Sequence, residues 1–228
     1  PMTALATEAK DCPSGNGCTH AAAIGSTHYN TLSAAISAVT DGTETEIRLL
    51  DNITEAVTIP TNKNITLDLA GYTLKDNETA QGDNTSADDR HHTITNEGKL
   101  TIVDSSSTKT GKVDNVSHGR GALVNNGTAT LMGGTFTRSE EASKSPTDNG
   151  GNSWYVIDNH GTMTINGATV SNNSKLSSLV RNASEDSKEV SLTISSGLLE
   201  NDFIAVKNED ETLTVTCLLY TSDAADEL

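Results

Sequence analysis

The sequence predicts an all-β chain, a solenoid of short stacked strands opened by one helix. Three observations carry this. The first is a recurring phrase: Asn, one or two polar residues, usually Gly, then aliphatic-Thr-aliphatic. It reads Asn96-Glu97-Gly98-Lys99-Leu100-Thr101-Ile102, then Asn125-Asn126-Gly127-Thr128-Ala129-Thr130-Leu131, then Asn159-His160-Gly161-Thr162-Met163-Thr164-Ile165. Weaker copies start at Asn62, Asn182 and Asn208, and the intervals run from 23 to 34 residues, the period of a repeat array and not of a closed globule. The second is a column of aliphatics two residues before each Asn: Ile94, Leu123, Ile157, Val180 and Val206. Strand alternation makes that column one inward face, and the aliphatic pair after each Asn (Leu100 and Ile102, for example) a second. The third is a further short apolar segment in most copies, around Val113, Phe136, Val170 and Leu199. Three short strands per repeat, separated by Gly and Asn corners, describe a triangular coil. The corner Asn is expected to take a left-handed backbone conformation. Stacked copies are also expected to share side-chain amide hydrogen bonds, as Asn ladders do in stacked sheets.

The segment Ile65-Thr66-Leu67-Asp68-Leu69-Ala70-Gly71-Tyr72-Thr73-Leu74 is similar to the phrase ITLDLNGYTL of bacterial secreted β-helix proteins. Asn125-Asn126-Gly127-Thr128 through Gly133-Gly134-Thr135-Phe136 is similar to their unit NNGTLTINGGTF. Over residues 28–216 the chain resembles the right-handed parallel β-helix repeat proteins, the architecture shared with pectate lyases. The resemblance implies a right-handed, single-stranded parallel β-helix with a short helix ahead of the first coil. It carries over no catalytic residue.

In order along the chain, Ala4-Leu5-Ala6 has the small-x-small form of a signal peptidase site and is read as the remnant of a secretory signal. Cys12 and Cys18 flank a Gly-Asn-Gly loop, which in a secreted chain suggests a small disulfide. Zinc is the competing reading, because His20 and His28 follow, although their spacing matches no finger pattern. Residues 1–27 are taken as this leader and loop. Residues 28–45 hold a capping helix: Asn30 or Thr31 caps it, Leu32, Ala35, Ile36 and Val39 share one face, and Asp41-Gly42 ends it. Such a helix covers the open end of the array. The coils occupy 46–216. Two insertions interrupt them, from about Lys75 to Asp89 and from about Arg138 to Ser153; both leave after the third strand and return before the first, and their Ser, Asn, Asp and Gly content predicts mobility. The eleven residues Cys217 to Glu227 resemble the translation of a sequencing adapter, so 217–228 are expected to be assembly read-through and the natural chain to be cut at about Thr216.

Composition narrows the function. The chain has 228 residues, a net charge of −16 and 3% aromatics. That acidity argues against nucleic acid as a partner, and no apolar run approaches membrane-spanning length. No Gly-rich phosphate loop, calcium nonapeptide repeat or Ser-His-Asp spacing is present.

Aligned on the anchor Asn, His91, Arg120, Trp154, Ser177 and Phe203 share the position five residues upstream and lie outward by parity, with His118 beside them and the insertions bordering the column. Trp154 with Arg120, His91 and His118 suits a sugar: an aromatic face packs on a pyranose while charged groups hydrogen-bond its hydroxyls. The competing reading packs Trp154 under its own insertion. A lyase would need acidic Ca²⁺ ligands and a base, and a hydrolase two carboxylates. Only Asp88-Asp89-Arg90-His91-His92 offers both residue types. Asp68 is read as outward and alone, and His92 as an inward, hydrogen-bonded residue. The function expected is a non-catalytic, adhesin-like extracellular or cell-surface module without cofactor, whose partner is a glycan or a cell-surface protein. The alternative is a carbohydrate-active enzyme, with Ca²⁺ only under a lyase mechanism.

Overall fold

A computed structural model describes residues 20–76, 90–117, 119–139, 154–172, 177–185, 189–201, 204–209 and 214–217. Among them the chain is mostly strand, with one helix. It opens with β1 (Ala22–Ile24) and β2 (Thr27–Tyr29), an antiparallel hairpin turned by Gly25 at φ 57°. This hairpin, in a stretch the sequence assigns to the leader and the start of the cap, pairs antiparallel with β3 (Glu44–Leu49) and so covers that strand's edge. Small Ala22 and Ala23 gave no alternation to read.

Helix α1 (Leu32–Ala38) lies between them. Thr31 caps it by accepting from the amide of Ala34, and the Glu55 carboxylate accepts from the amides of Leu32 and Ser33. Leu32, Ala35, Ile36 and Val39 are buried against the core, the face the sequence marks.

After β4 (Ile53–Thr54) the strands come in threes: β5 (Val57–Ile59), β6 (Asn64–Asp68), β7 (Thr73–Lys75); β8 (Ile94–Asn96), β9 (Lys99–Val103), β10 (Lys112–Asp114); β11 (Leu123–Asn125), β12 (Thr128–Leu131), β13 (Thr135–Thr137). In later repeats the second and third merge: β14 (Ile157–Asn159) with β15 (Thr162–Ser171), β16 (Val180–Asn182) with β17 (Ser191–Glu200), then β18 (Val206–Asn208) and β19 (Thr214–Cys217). Each strand pairs in parallel with its equivalent in the next repeat, giving three ladders. One runs β3-β6-β9-β12-β15-β17-β19, a second β4-β7-β10-β13 and on through the far halves of β15 and β17, and the third β5-β8-β11-β14-β16-β18.

The apolar columns meet in one core. Ile94, Leu123, Ile157 and Val180 are in register and fully buried. So are Leu100, Ala129, Met163 and Leu192 in the first ladder, and Val113, Phe136 and Val170 in the second.

The anchor Asn forms the expected amide ladder. Asn96 Nδ2 donates to Asn125 Oδ1, Asn125 to Asn159 and Asn159 to Asn182, each at 2.7 Å, and Asn182 to Asn208 at 2.9 Å. Its backbone differs from expectation. The positive-φ non-glycine residues described are Ala70 and Lys109, so no described anchor Asn is left-handed. Asn96, Asn125, Asn159, Asn182 and Asn208 each end a strand, whereas Asn62 lies in the turn before β6 and Ile59 stands in register with Asn96 in its place; for Asn96 and Asn159 the side chain itself turns the corner by accepting from the glycine amide two residues on. The glycine is needed for space: a Cβ at Gly127 would stand 2.2 Å from the carbonyl of Gly98, and one at Gly161 2.1 Å from that of Gly127.

Two further readings are corrected. Asp68 is 2% exposed, not outward and alone: it accepts from the amide and hydroxyl of Ser105 and pairs with Arg48 at 3.2 Å. Arg138, assigned to a mobile insertion, is fully buried, donating to the carbonyls of Trp154 at 2.9 Å and Ser117 at 3.3 Å. It ties the exit of the second insertion to its return. Asp76, at the exit of the first insertion, is buried and tied to the next repeat, accepting from the Val116 amide and the Ser117 hydroxyl.

Candidate functional site

The middle residues of the β5-to-β18 ladder, Thr58, Thr95, Val124, Asp158, Arg181 and Lys207, stand in register across six strands, with Val124 and Asp158 buried among them. Neighbours in such a column are about 4.8 Å apart, and with Glu209 set between the two cations Asp158, Arg181, Glu209 and Lys207 form a continuous ionic chain. Asp158 Oδ2 meets Arg181 Nη1 at 3.0 Å, Arg181 Nη2 meets Glu209 Oε2 at 3.0 Å, and Glu209 Oε1 meets Lys207 Nζ at 2.6 Å. Lys207, then Arg181, hold the Glu209 carboxyl below its ordinary range despite partial burial.

Tyr155 sits at this chain. Its ring centroid is 5.4 Å from the Arg181 guanidinium and 5.8 Å from Lys207 Nζ, within cation–π range. Trp154 lies beside it, ring centroids 5.5 Å apart and tilted by 54°. The indole is half-buried and its Nε1 has no hydrogen-bond partner among the described residues. Trp154 is therefore partly a packing residue, held from behind through its carbonyl by Arg138.

At the other end of the same face, a cleft of about 220 Å³ opens between Arg90, His91 and His92 over a floor of Val57, Thr58 and Thr95. His91 is exposed. His92 is half-buried and its Nδ1 accepts from the Gly121 amide at 2.9 Å. Burial, then the charge of Arg120, lower its pKa to about 4, so it is a neutral acceptor near pH 7, the hydrogen-bonded residue its parity implies. Arg120 is half-buried and donates to the carbonyls of Arg90 at 3.2 Å and Gly119 at 2.9 Å, which makes it a staple as well as a surface cation.

The upstream column thus does not stay outward. His91 is exposed, Arg120 and Trp154 are half-covered, and Ser177 is 3% exposed. Parity fails there because those residues precede the strands and lie in the connections. Asp88, Asp89, His118, Phe203 and the Cys12–Cys18 pair lie outside the described residues. Sequence reasoning missed the Tyr155, Asp158, His160, Arg181, Lys207 and Glu209 cluster. A signal was present: the residue just before the anchor Asn is charged in three successive repeats, Asp158, Arg181 and Lys207.

Chemically, the cluster holds its charges in fixed pairs. Asp158, 3% exposed, lies between Arg181 and His160. Among the described residues no three metal-ligating side chains come together, and no helix is long and apolar enough to cross a membrane. No protein family, curated protein or solved structure matches the chain.

Proposed function

We propose that the chain is a right-handed parallel β-helix of the bacterial secreted, adhesin-like kind, acting as a non-catalytic extracellular module that binds glycans on the β5-to-β18 face. The strand pairing supports the architecture. Equivalent strands of successive repeats pair in parallel, and a crossover between parallel strands of one sheet is right-handed in about 98% of cases. The observation that carries the function is Tyr155 with Trp154 beside an ionic chain in which Asp158, Arg181, Glu209 and Lys207 are mutually paired. Two aromatic rings supply apolar faces for pyranose packing, and the paired ions supply fixed hydrogen-bonding edges.

The test is titration of soluble polysaccharides, neutral and acidic, against the protein by calorimetry, with parallel assays for new reducing ends and unsaturated products. Binding without product, weakened roughly tenfold or more by Tyr155→Ala or Trp154→Ala, is the expected result; a loss of that size is about 1.4 kcal/mol. Ca²⁺-dependent release of unsaturated sugars, abolished in Asp89→Asn, would replace this reading with a lyase.

A further inference from the structure

At the buried margin of the β5-to-β18 face, His160 has oxygens close to both ring nitrogens. Nδ1 is 2.8 Å from the carbonyl of Ala183. Nε2 is 3.2 Å from Asp158 Oδ1 and 3.5 Å from Glu185 Oε1. The ring is 4% exposed, so no water shell can substitute for these contacts. A carbonyl only accepts, so Nδ1 must carry a proton to bond with Ala183. A neutral ring of that tautomer would then aim the Nε2 lone pair at two carboxylates. The imidazolium alone sets a donor or a positive charge against all three neighbours.

We infer that His160 is a proton-operated latch: as the imidazolium it fastens the Ala183–Glu185 corner to the end of β14, and on giving up its Nε2 proton it releases that corner. The surrounding charges agree with this. Asp158 and Glu185 face the ring directly. On the adjoining strands Arg181 meets the other oxygen of Asp158, and Glu209 and Lys207 continue that chain away from the ring. The corners stacked before it carry Asn126 and Glu97, hydrogen-bonded to each other. Burial alone would lower the pKa, but the Asp158 hydrogen bond and charge, the Ala183 carbonyl and Glu185 together raise it above the ordinary histidine value of about 6.5. The direction of the response follows. A raised folded pKa means the latch is fully closed below about pH 6.5 and opens as pH rises through the higher folded value. Because Asp158 is shared with Arg181, opening also alters the charge balance under Tyr155.

The experiment is NMR on the full chain, following the His160 ring nitrogens and the amide of Ala183, whose proton bonds to the Asn159 carbonyl at 3.0 Å. The ring is expected to titrate above about pH 6.5. Exchange protection of the Ala183 amide, corrected for base catalysis, is expected to fall roughly tenfold or more across the same transition, an opening free-energy change of about 1.4 kcal/mol. His160→Gln should leave Ala183 protection independent of pH. Glu185→Gln changes a carboxylate that is 60% exposed, so folding is spared, and it should lower the titration midpoint. A ring that titrates at or below the ordinary value, a midpoint unmoved by Glu185→Gln, or Ala183 protection that stays constant while the ring titrates would each overturn the latch.

Discussion

An asparagine side chain has two amide protons and an oxygen with two lone pairs, and Asn159 engages all of them. The two protons on Nδ2 serve three acceptors, Asn182 Oδ1, the Gly161 carbonyl at 3.1 Å and the Ser191 carbonyl at 3.0 Å, one of them shared, while its oxygen accepts from Asn125 Nδ2 and the Gly161 amide. Asn159→Ala orphans the buried partners on both sides and is expected to cost on the order of 2–4 kcal/mol in urea unfolding. Asn159→Asp should cost more, although it preserves shape, because it turns a carboxylate toward three oxygens that need donors. A smaller loss for Asp than for Ala would mean that the ladder is not what holds the corner. His92 responds to acid in the opposite sense from His160. Its folded pKa of about 4 lies below the unfolded value, so the stability it preserves as a neutral acceptor is present above about pH 6.5 and is lost as pH falls toward 4. The upper bound is about 3 kcal/mol. His92→Asn, which can accept from Gly121 without titrating in that range, should flatten this part of the stability–pH curve. The anchor Asn was legible in the sequence because it repeats. Asp68 was not, because its partner Ser105 is 37 residues away and only the register of β6 on β9 brings them together.

At the scale of elements, the turn between β6 and β7 carries a backbone strain. Ala70 sits at φ 50° and Gly71 follows at φ 87°. A left-handed conformation costs an alanine about 1 kcal/mol or more, and Asn tolerates it better. The similar phrase of secreted β-helix proteins has Asn where this chain has Ala70. Ala70→Asn is therefore expected to stabilise the protein by roughly 0.5–1 kcal/mol in the same urea assay, provided that the turn keeps its hydrogen bond from the Ala70 amide to Asp68 Oδ1. A destabilised variant would show that the φ at this turn is not what limits it. Strands and helix α1 were legible because alternation and capping are local signals. The β1–β2 hairpin and the merging of strands into β15 and β17 were not, since both depend on which neighbour is available to pair. Arg138 was hidden for a related reason: an Arg beside a Ser-, Asn- and Gly-rich run reads as solvated, and only the packing beneath Trp154 makes it a core residue.

Across the whole molecule, ladder pairing links each repeat only to the one before and the one after, apart from the hairpin and helix at the start. Stability in such an array is close to a sum of repeat terms and nearest-neighbour interfaces, so a local lesion stays local if it lies near an end and divides the molecule if it lies in the middle. Burial already differs along the chain. Ile94, Leu123, Ile157 and Val180 are fully buried, whereas Val206 at the same inward position of the last repeat is half-buried. Leu192→Ala, at the inward position between Met163 and Val215, should remove about 2–5 kcal/mol from its own interface. Hydrogen exchange should then show protection lost over β16 to β19 and kept over β5 to β9. Leu100→Ala, packed between Ile65 and Ala129, should lower protection on both flanks together, because it severs the helix-capped repeats from the rest. Uniform loss of protection in the Leu192→Ala protein would mean that the array unfolds as one cooperative unit, with the continuous Asn ladder, which runs from Asn96 to Asn208 without a break, as the feature able to enforce it.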